Sequence, residues 1–291
     1  MTRNHNEIKQ GADAHAGDRK VEDVCRPKRI MTNILQLLQS HRSIRKFKPE
    51  PIPDELLSNI LNSARQAPTS SNLQAYSIIV VRDREKKKTL AHLCGNQPWV
   101  GSCPVFLAIC PDLHRIERVC RLRGYEFNDR YIEIFIVAVV DAALIAQNIL
   151  VGAEGSGLGV CMIGGIRNNP DKVSELLKLP QKVFPLVGMC IGYPDHHGAI
   201  KPRLLPQIAI HNEEYSDENF ERLIGEYDRI MKATGLYSEP RRRVASPDGR
   251  VIPDDEYSWT EHSARRAAST DSRVLRAHMR RFLDSRGFGL D

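Results

Sequence analysis

Three stretches of this chain carry side chains suited to holding an anion. His41-Arg42-Ser43-Ile44-Arg45-Lys46-Phe47 packs three permanent cations, an imidazole and a hydroxyl into one short run. Arginine offers a rigid fork of N–H donors that matches an oxyanion, and serine adds a small adaptable donor or acceptor. Lys201-Pro202-Arg203-Leu204-Leu205-Pro206 holds two further cations, and Pro68-Thr69-Ser70-Ser71-Asn72-Leu73-Gln74 is a run of hydroxyls and amides. A basic run taken alone is ordinary solvated surface. Combined with the other two, it suits a ligand carrying a phosphate and several hydroxyls. Between them, Met162-Ile163-Gly164-Gly165 closes an apolar run. Two glycines lack a Cβ, so backbone there can lie against a flat group.

Taken in chain order, the stretches resemble the FMN-dependent nitroreductase family, nearest its NADPH-using branch of oxygen-insensitive nitroreductases and flavin reductases. The resemblance covers residues 31–291 and is weakest over 110–130 and 237–258. It implies an α+β fold: a three-layer sandwich with a mixed, mainly antiparallel sheet flanked by helices, in a homodimer. It also implies FMN as cofactor and NADPH as co-substrate. A small electron-poor acceptor (a nitroaromatic, a quinone, free flavin or chromate) would take two electrons in the same pocket by a ping-pong cycle.

By the same resemblance His41, Arg42 and Ser43 would reach phosphate and ribityl groups, while Lys201 and Arg203 clamp the phosphate. Arg45 would stabilise the negative charge that builds along N1 and C2=O of the reduced ring. Thr69, Ser70 and Ser71 would line the ribityl side and pyrimidine edge, and Gln97 would touch the flavin. Backbone N–H groups of Met162, Ile163, Gly164 and Gly165 would meet the N5 and O4 edge. Arg241, Arg242, Arg243 and Arg273 would grip the NADPH 2′-phosphate, with Arg167 facing the dinucleotide. No catalytic side chain is implied, because flavin N5 carries the hydride, and no metal site is expected.

The elements that must position these residues follow from periodicity. Asn33–Gln39 reads as a short helix capped by Thr32. Pro49-Glu50-Pro51-Ile52-Pro53 is a rigid linker, since consecutive prolines block helix and sheet pairing. Asp54 is expected to cap a second helix running to Arg65, with Leu56, Leu57, Ile60 and Leu61 on its apolar face and Pro68 as its stop. Tyr76–Val81 and Val105–Cys110 read as strands, with a helix over Lys86–Leu93 between them. Tyr131 to Glu154 is the longest apolar stretch, split by Asp141. No uncharged run in it reaches the ~18 residues of a spanning helix, so it reads as a helix buried on most sides, the family's central dimer helix.

Strands follow over Val160–Ile163 and Leu186–Ile191, with a helix over Asp171–Leu177. A long amphipathic helix is predicted from Glu213 to Lys232, then an irregular segment to Trp259. Helices then resume through Arg265 and over Ser272–Asp284. Strands and helices interleave without a βαβ rhythm, which favours α+β over a doubly wound sheet. Gly155-Ser156-Gly157-Leu158-Gly159 follows a helix rather than a strand, so it is not a dinucleotide fingerprint. The chain divides into residues 1–30, a disordered extension; 31–210, the FMN-binding core; and 211–291, a helical basic extension of the same domain.

Composition is that of a soluble globular protein, 41% hydrophobic and 27% charged. The net charge of +6 is concentrated in residues 241–291, at Arg241-Arg242-Arg243, Arg265-Arg266 and Arg280-Arg281. Such a surplus fits an anionic ligand as well as nucleic acid, and charge alone does not separate them. Seven cysteines without a C-x-x-C pair read as reduced, buried thiols in a cytoplasmic protein. The N-terminus lacks a secretory pattern, and neither a nucleic-acid nor a membrane partner is expected. Two other readings stay open: a flavin-consuming or dehalogenating enzyme of the same fold, and a basic nucleic-acid-binding protein, although no recognition motif is present.

Overall fold

Strand β2 (Val105–Pro111) is buried along its whole length. Its side chains explain why, since Val105, Leu107 and Ile109 point to one apolar core and Phe106, Ala108 and Cys110 to another. A strand apolar on both faces has to be central. In the computed structural model, which describes residues 34–239 and 243–291, β1 (Tyr76–Val81) pairs with one side of β2 and β4 (Val187–Gly192) with the other. β3 (Gly159–Ile163) then pairs with β4, giving the order β1-β2-β4-β3, antiparallel at each step. An isolated parallel bridge joins Ser43 to Val160 and makes the edge mixed. The expectations for residues 1–30, Thr32, Cys25, Arg241 and Arg242 lie outside the described residues.

Helices cover both faces. On one, α2 (Asp54–Ala64) and the long α6 (Ile132–Gly155) contribute Leu57, Ile60, Ile145 and Ile149. On the other, α3 (Arg84–Leu93), α4 (Pro98–Ser102) and α7 (Pro170–Leu176) contribute Leu90, Val100 and Val173. Each such side chain contributes about 1.5–3 kcal/mol by leaving water. The result is the expected three-layer α+β sandwich. Two further helices, α1 (Ile34–Gln39) and α5 (His114–Leu122), flank these layers.

Helix α6 is long and apolar enough to cross a membrane by length and composition. Its inner face is core, and Asp141 in its middle is fully buried. That carboxylate accepts from the backbone N–H groups of Ser70 and Ala75, both at 3.0 Å, so the hydroxyl loop is tied to the middle of α6. The opposite face exposes Ile132, Ile136, Val140 and Leu144 at four-residue intervals.

Past β4 the chain forms α8 (Pro206–Ala209), α9 (Phe220–Ala233), α10 (Trp259–Ala267), α11 (Ser272–Leu275) and α12 (Met279–Ser285). Tyr227 of α9 meets Trp259 of α10 edge to face at 5.3 Å, and Asp228 accepts from Thr260 N at 2.9 Å. Phe282, Leu283 and Phe288 then return to a third core with Leu113, Ala138 and Phe184.

Several boundaries differ from the sequence expectation. Asp54 does not cap α2: Pro53 holds the N-cap position, and Asp54 sits inside the first turn paired with Arg82. A carboxylate is favourable there too, through the helix dipole. The helix predicted from Glu213 starts only at Phe220, and Glu213 itself has φ +62°. Ser272–Asp284 is two helices, because Arg276 adopts φ +51°, a left-handed conformation that ends α11. α4 and α5 were not anticipated, since both are short and lack a sustained apolar period.

Candidate active site

The chain leaving α1 is laced to the edge of the sheet. Ile44 N donates to Val160 O at 2.9 Å and Lys48 N to Tyr193 O at 2.9 Å. Asp195 N in turn donates to Lys46 O at 3.0 Å. Ile44 is buried against Gly159, where an added Cβ would come within 2.7 Å of the isoleucine side chain. This anchoring fixes the residues on either side. His41, Arg42, Ser43 and Arg45 converge with Lys201, Arg203 and His196 on one cleft of about 320 Å³, and among the described residues no carboxylate lines it. Lys46 turns away and pairs with Asp195 at 3.0 Å; that bond and its charge hold the Asp195 carboxyl below the usual range.

The second cationic stretch is braced by its own backbone and by α9. Arg203 Nη1 donates to Lys201 O at 2.8 Å, and Tyr227 Oη donates to Pro202 O at 3.2 Å. Arg45 and Lys201 both bear on Cys161 in β3: burial pushes this thiol up, and the two cations oppose that rise. The two stretches are about 160 residues apart in sequence, and the cleft brings them together.

Beside the cleft, the Arg45 guanidinium lies 5.6 Å from the centre of the Trp99 ring. Trp99 Nε1 is buried and has no hydrogen-bond partner among the described residues. Gln97 donates through Nε2 to Cys94 O at 2.7 Å. β3 ends at Ile163, and Gly164–Arg167 forms a tight turn. The two glycines do different work. A Cβ on Gly165 would lie 2.6 Å from Gln97 Nε2, so its bareness serves packing against the Cys94–Gln97 turn. A Cβ on Gly164 would meet only Arg167, at 3.6 Å, and its backbone is half-buried. Ile163 is core, so only its backbone can face a ligand, whereas Met162 is half-buried.

The hydroxyl loop is not part of this cleft. Ser70 is held at Asp141, whereas His41 Nδ1 meets Glu154 Oε1 at 2.7 Å. Those two carboxylates are thirteen residues apart on α6, about 20 Å at a rise of roughly 1.5 Å per residue. Ser70 and Ser71 are exposed, Thr69 is half-buried, and Ser71 has φ +48°.

Residues 38–193 match the model of the nitroreductase family, and residues 201–291 match the family's C-terminal domain. The chain belongs to the nitroreductase family. It is 41% identical over 205 residues to an FMN reductase (NADPH) of Bacillus subtilis, covering 69% of this chain and 82% of that protein. It is 34% identical over 255 residues to a Cr(VI) reductase of Pseudomonas, covering 88% and 98%. Among solved structures, the NADPH:FMN oxidoreductase of Vibrio harveyi complexed with NAD+ superimposes with a TM-score of 0.75 at 33% identity, over 88% of this chain and 98% of that one.

Within this nitroreductase fold the outlying arginines differ in availability. Arg243 is an internal strut: it donates to Tyr237 O at 3.0 Å, pairs with Asp254, and lies 4.9 Å from the Tyr257 ring. Its side chain is only 16% exposed. Arg273 is exposed and chelates the Asp271 carboxylate beside it. Arg167 donates to Leu186 O, and burial together with the nearby Arg276 pulls its pKa down.

Sequence reasoning missed Glu154, Trp99 and Arg276. Trp99 had a signal in Gln97-Pro98-Trp99. Arg276 donates to Asn168 Oδ1 at 3.0 Å and so joins the turn after the glycine pair, a contact spanning 108 residues with no local signature. The larger cleft of about 820 Å³, near Pro49, Lys87 and Pro104, contains none of the expected site residues. Volume therefore does not choose the site; chemistry does.

Proposed function

We propose that this chain is an FMN-dependent NADPH oxidoreductase of the nitroreductase and flavin reductase type. It would pass two electrons by a ping-pong cycle to a small electron-poor acceptor such as a nitroaromatic, a quinone, free flavin or chromate. The observation that carries this reading is the convergence of Arg42, Arg45, Lys201 and Arg203 on one cleft. Four permanent positive charges gathered on one cleft suit a phosphate dianion. The relatives' names, an FMN reductase (NADPH) and an NADPH:FMN oxidoreductase, agree with FMN and NADPH as the pair.

When bound, the flavin supplies the two-electron exchange between nicotinamide and acceptor. The chain's own residues position it. His41, Arg42, Ser43, Lys201 and Arg203 hold the phosphate end, each charge-assisted bond contributing about 1.5–3 kcal/mol. Arg45, held against Trp99, places a fixed cation where it favours the reduced, anionic ring. Gln97 and the backbone of Met162, Ile163, Gly164 and Gly165 face the ring. The protein's contribution is orientation and electrostatics, with no acid–base side chain required.

The active form we propose is a homodimer in which the Thr69, Ser70 and Ser71 loop of a second copy completes the site. The separation along α6 supports this, as does the exposed apolar stripe on that helix. Arg167, Arg241, Arg242 and Arg273 are proposed to meet NADPH. We take residues 211–291 as an extension of the same domain as 31–210, because Phe282 and Phe288 pack with Phe184. The six described cysteines are free, which suits a cytoplasmic enzyme. Nucleic-acid binding is disfavoured, since Arg243, Arg265 and Arg286 use their donors inside the protein.

The test is the purified protein. It should be yellow and release stoichiometric FMN on denaturation; release of FAD, or a colourless protein that does not bind added FMN, would overturn the assignment.

A further inference from the structure

We propose that Glu154 is a positioning residue for the phosphate end of the flavin, acting through His41. The inference rests on the FMN reading above and adds a residue to that site.

Glu154 is a largely buried carboxylate close to a cleft that suits an anion. It lies in the last turn of α6, where the helix dipole disfavours negative charge. Its side chain is only 12% exposed, so it is largely removed from water. It also sits directly behind a cleft whose cations suit an anion, where its own charge repels a phosphate. Burial and the helix dipole oppose the charge on this side chain, and a bound phosphate would repel it, whereas the cleft cations and His41 favour it.

Among the described residues its carboxylate meets His41, at 2.7 Å through Nδ1. That bond settles which edge of the imidazole faces the cleft. With Nδ1 engaged behind, Nε2 lies on the opposite edge of the ring, and His41 is one of the residues lining the cleft. Without Glu154 the ring would be free to turn, and Arg42, Lys201 and Arg203 would repel it whenever it carried a proton. The carboxylate thus holds an imidazole among permanent cations, ready to meet the phosphate. A ring nitrogen oriented by a carboxylate on its other nitrogen is a general device for fixing histidine direction.

The sign of the effect makes this falsifiable. Were Glu154 merely a nearby negative charge, removing it would tighten FMN. As a positioning residue, Glu154→Ala should weaken FMN by about tenfold. Apo protein would be titrated with FMN and, separately, with riboflavin, which differs only by the phosphate. We expect Glu154→Ala to lose FMN affinity while riboflavin affinity stays unchanged, and Glu154→Gln, which keeps an acceptor oxygen, to stay within about twofold of the parent. In a His41→Ala background, Glu154→Ala should have no further effect, because the residue acts only through the ring. Glu154→Leu serves if the alanine variant does not fold.

Tighter FMN binding, equal losses for FMN and riboflavin, or a full effect surviving in the His41→Ala background would each overturn the proposal. A glutamine variant as weak as alanine would overturn the role of the acceptor oxygen. A parent protein that binds no FMN at all would instead sink the functional reading, so the two failures are distinguishable.

Discussion

At the scale of single residues, the site separates side chains that bind from side chains that tune. Arg203 is braced at Lys201 O and lines the cleft, whereas Arg222 is a surface residue with a loose contact to Glu226 at 3.9 Å. Arg203→Ala should therefore weaken FMN by one to two decades, roughly 1.5–3 kcal/mol, while Arg222→Ala leaves it unchanged. Fluorescence titration of apo protein measures both, and equal affinities would remove Arg203 from the site. Arg45 acts on the electronics instead. Arg45→Gln should lower the bound flavin's midpoint potential by about 30 mV, which for a two-electron couple is roughly 1.4 kcal/mol, while much of the binding survives. A spectroelectrochemical titration that found no shift would separate Arg45 from the ring. Three buried cysteines are poorly suited to either task. Burial pushes the Cys94 thiol up to about 12 and raises Cys110 and Cys190 as well, so these groups stay protonated and unreactive.

At the scale of elements, what could be read from sequence was what local periodicity records. β1 was read to the residue, because its β-branched run is bounded by turn residues. β2 was found because a short apolar run between breakers has few alternatives. α6 announced itself by length. Illegible were the features decided by contacts across long sequence distances. The start of α9 depends on a loop around Glu213, and the break at Arg276 accompanies a contact to Asn168. The pairing of His41 with Glu154 spans 113 residues. The basic stretches stand out in the sequence, whereas the contacts of Arg243 with Asp254 and Tyr257 carry no motif.

Asp141 shows the same limit. Sequence marked it only as an interruption in an apolar helix, yet its carboxylate satisfies two backbone N–H groups in the loop that carries Thr69, Ser70 and Ser71. Asp141→Ala leaves both N–H groups without a partner and should cost about 3 kcal/mol of stability by urea denaturation. FMN affinity should fall with it, because the loop loses its anchor. A variant as stable as the parent would show that water replaces the carboxylate.

At the scale of the whole molecule, the question is whether one copy can form a complete site. The cationic cleft and the hydroxyl loop lie about 20 Å apart along α6. Ile132, Ile136, Val140 and Leu144 form an apolar stripe on the same helix, and Ile34, Leu35 and Leu38 of α1 are exposed as well. Monomers seldom leave such a contiguous face in water. If two copies pair through it, the loop of one can reach the cleft of the other. Ile136→Glu, at a position 45% exposed in the single chain, should then yield a folded monomer by sedimentation with greatly weakened FMN binding.

A sharper test pairs two defective copies, one carrying Arg203→Ala and the other Ser70→Ala with Ser71→Ala. When the loop acts across the interface, the mixed dimer contains one doubly damaged site and one intact site. Co-purified heterodimer should then bind FMN at half stoichiometry with parental affinity. If each copy uses its own loop, every site carries one defect and no parental-affinity binding returns. The stoichiometry of tight FMN binding therefore decides between a self-contained subunit and a site that exists only in the pair.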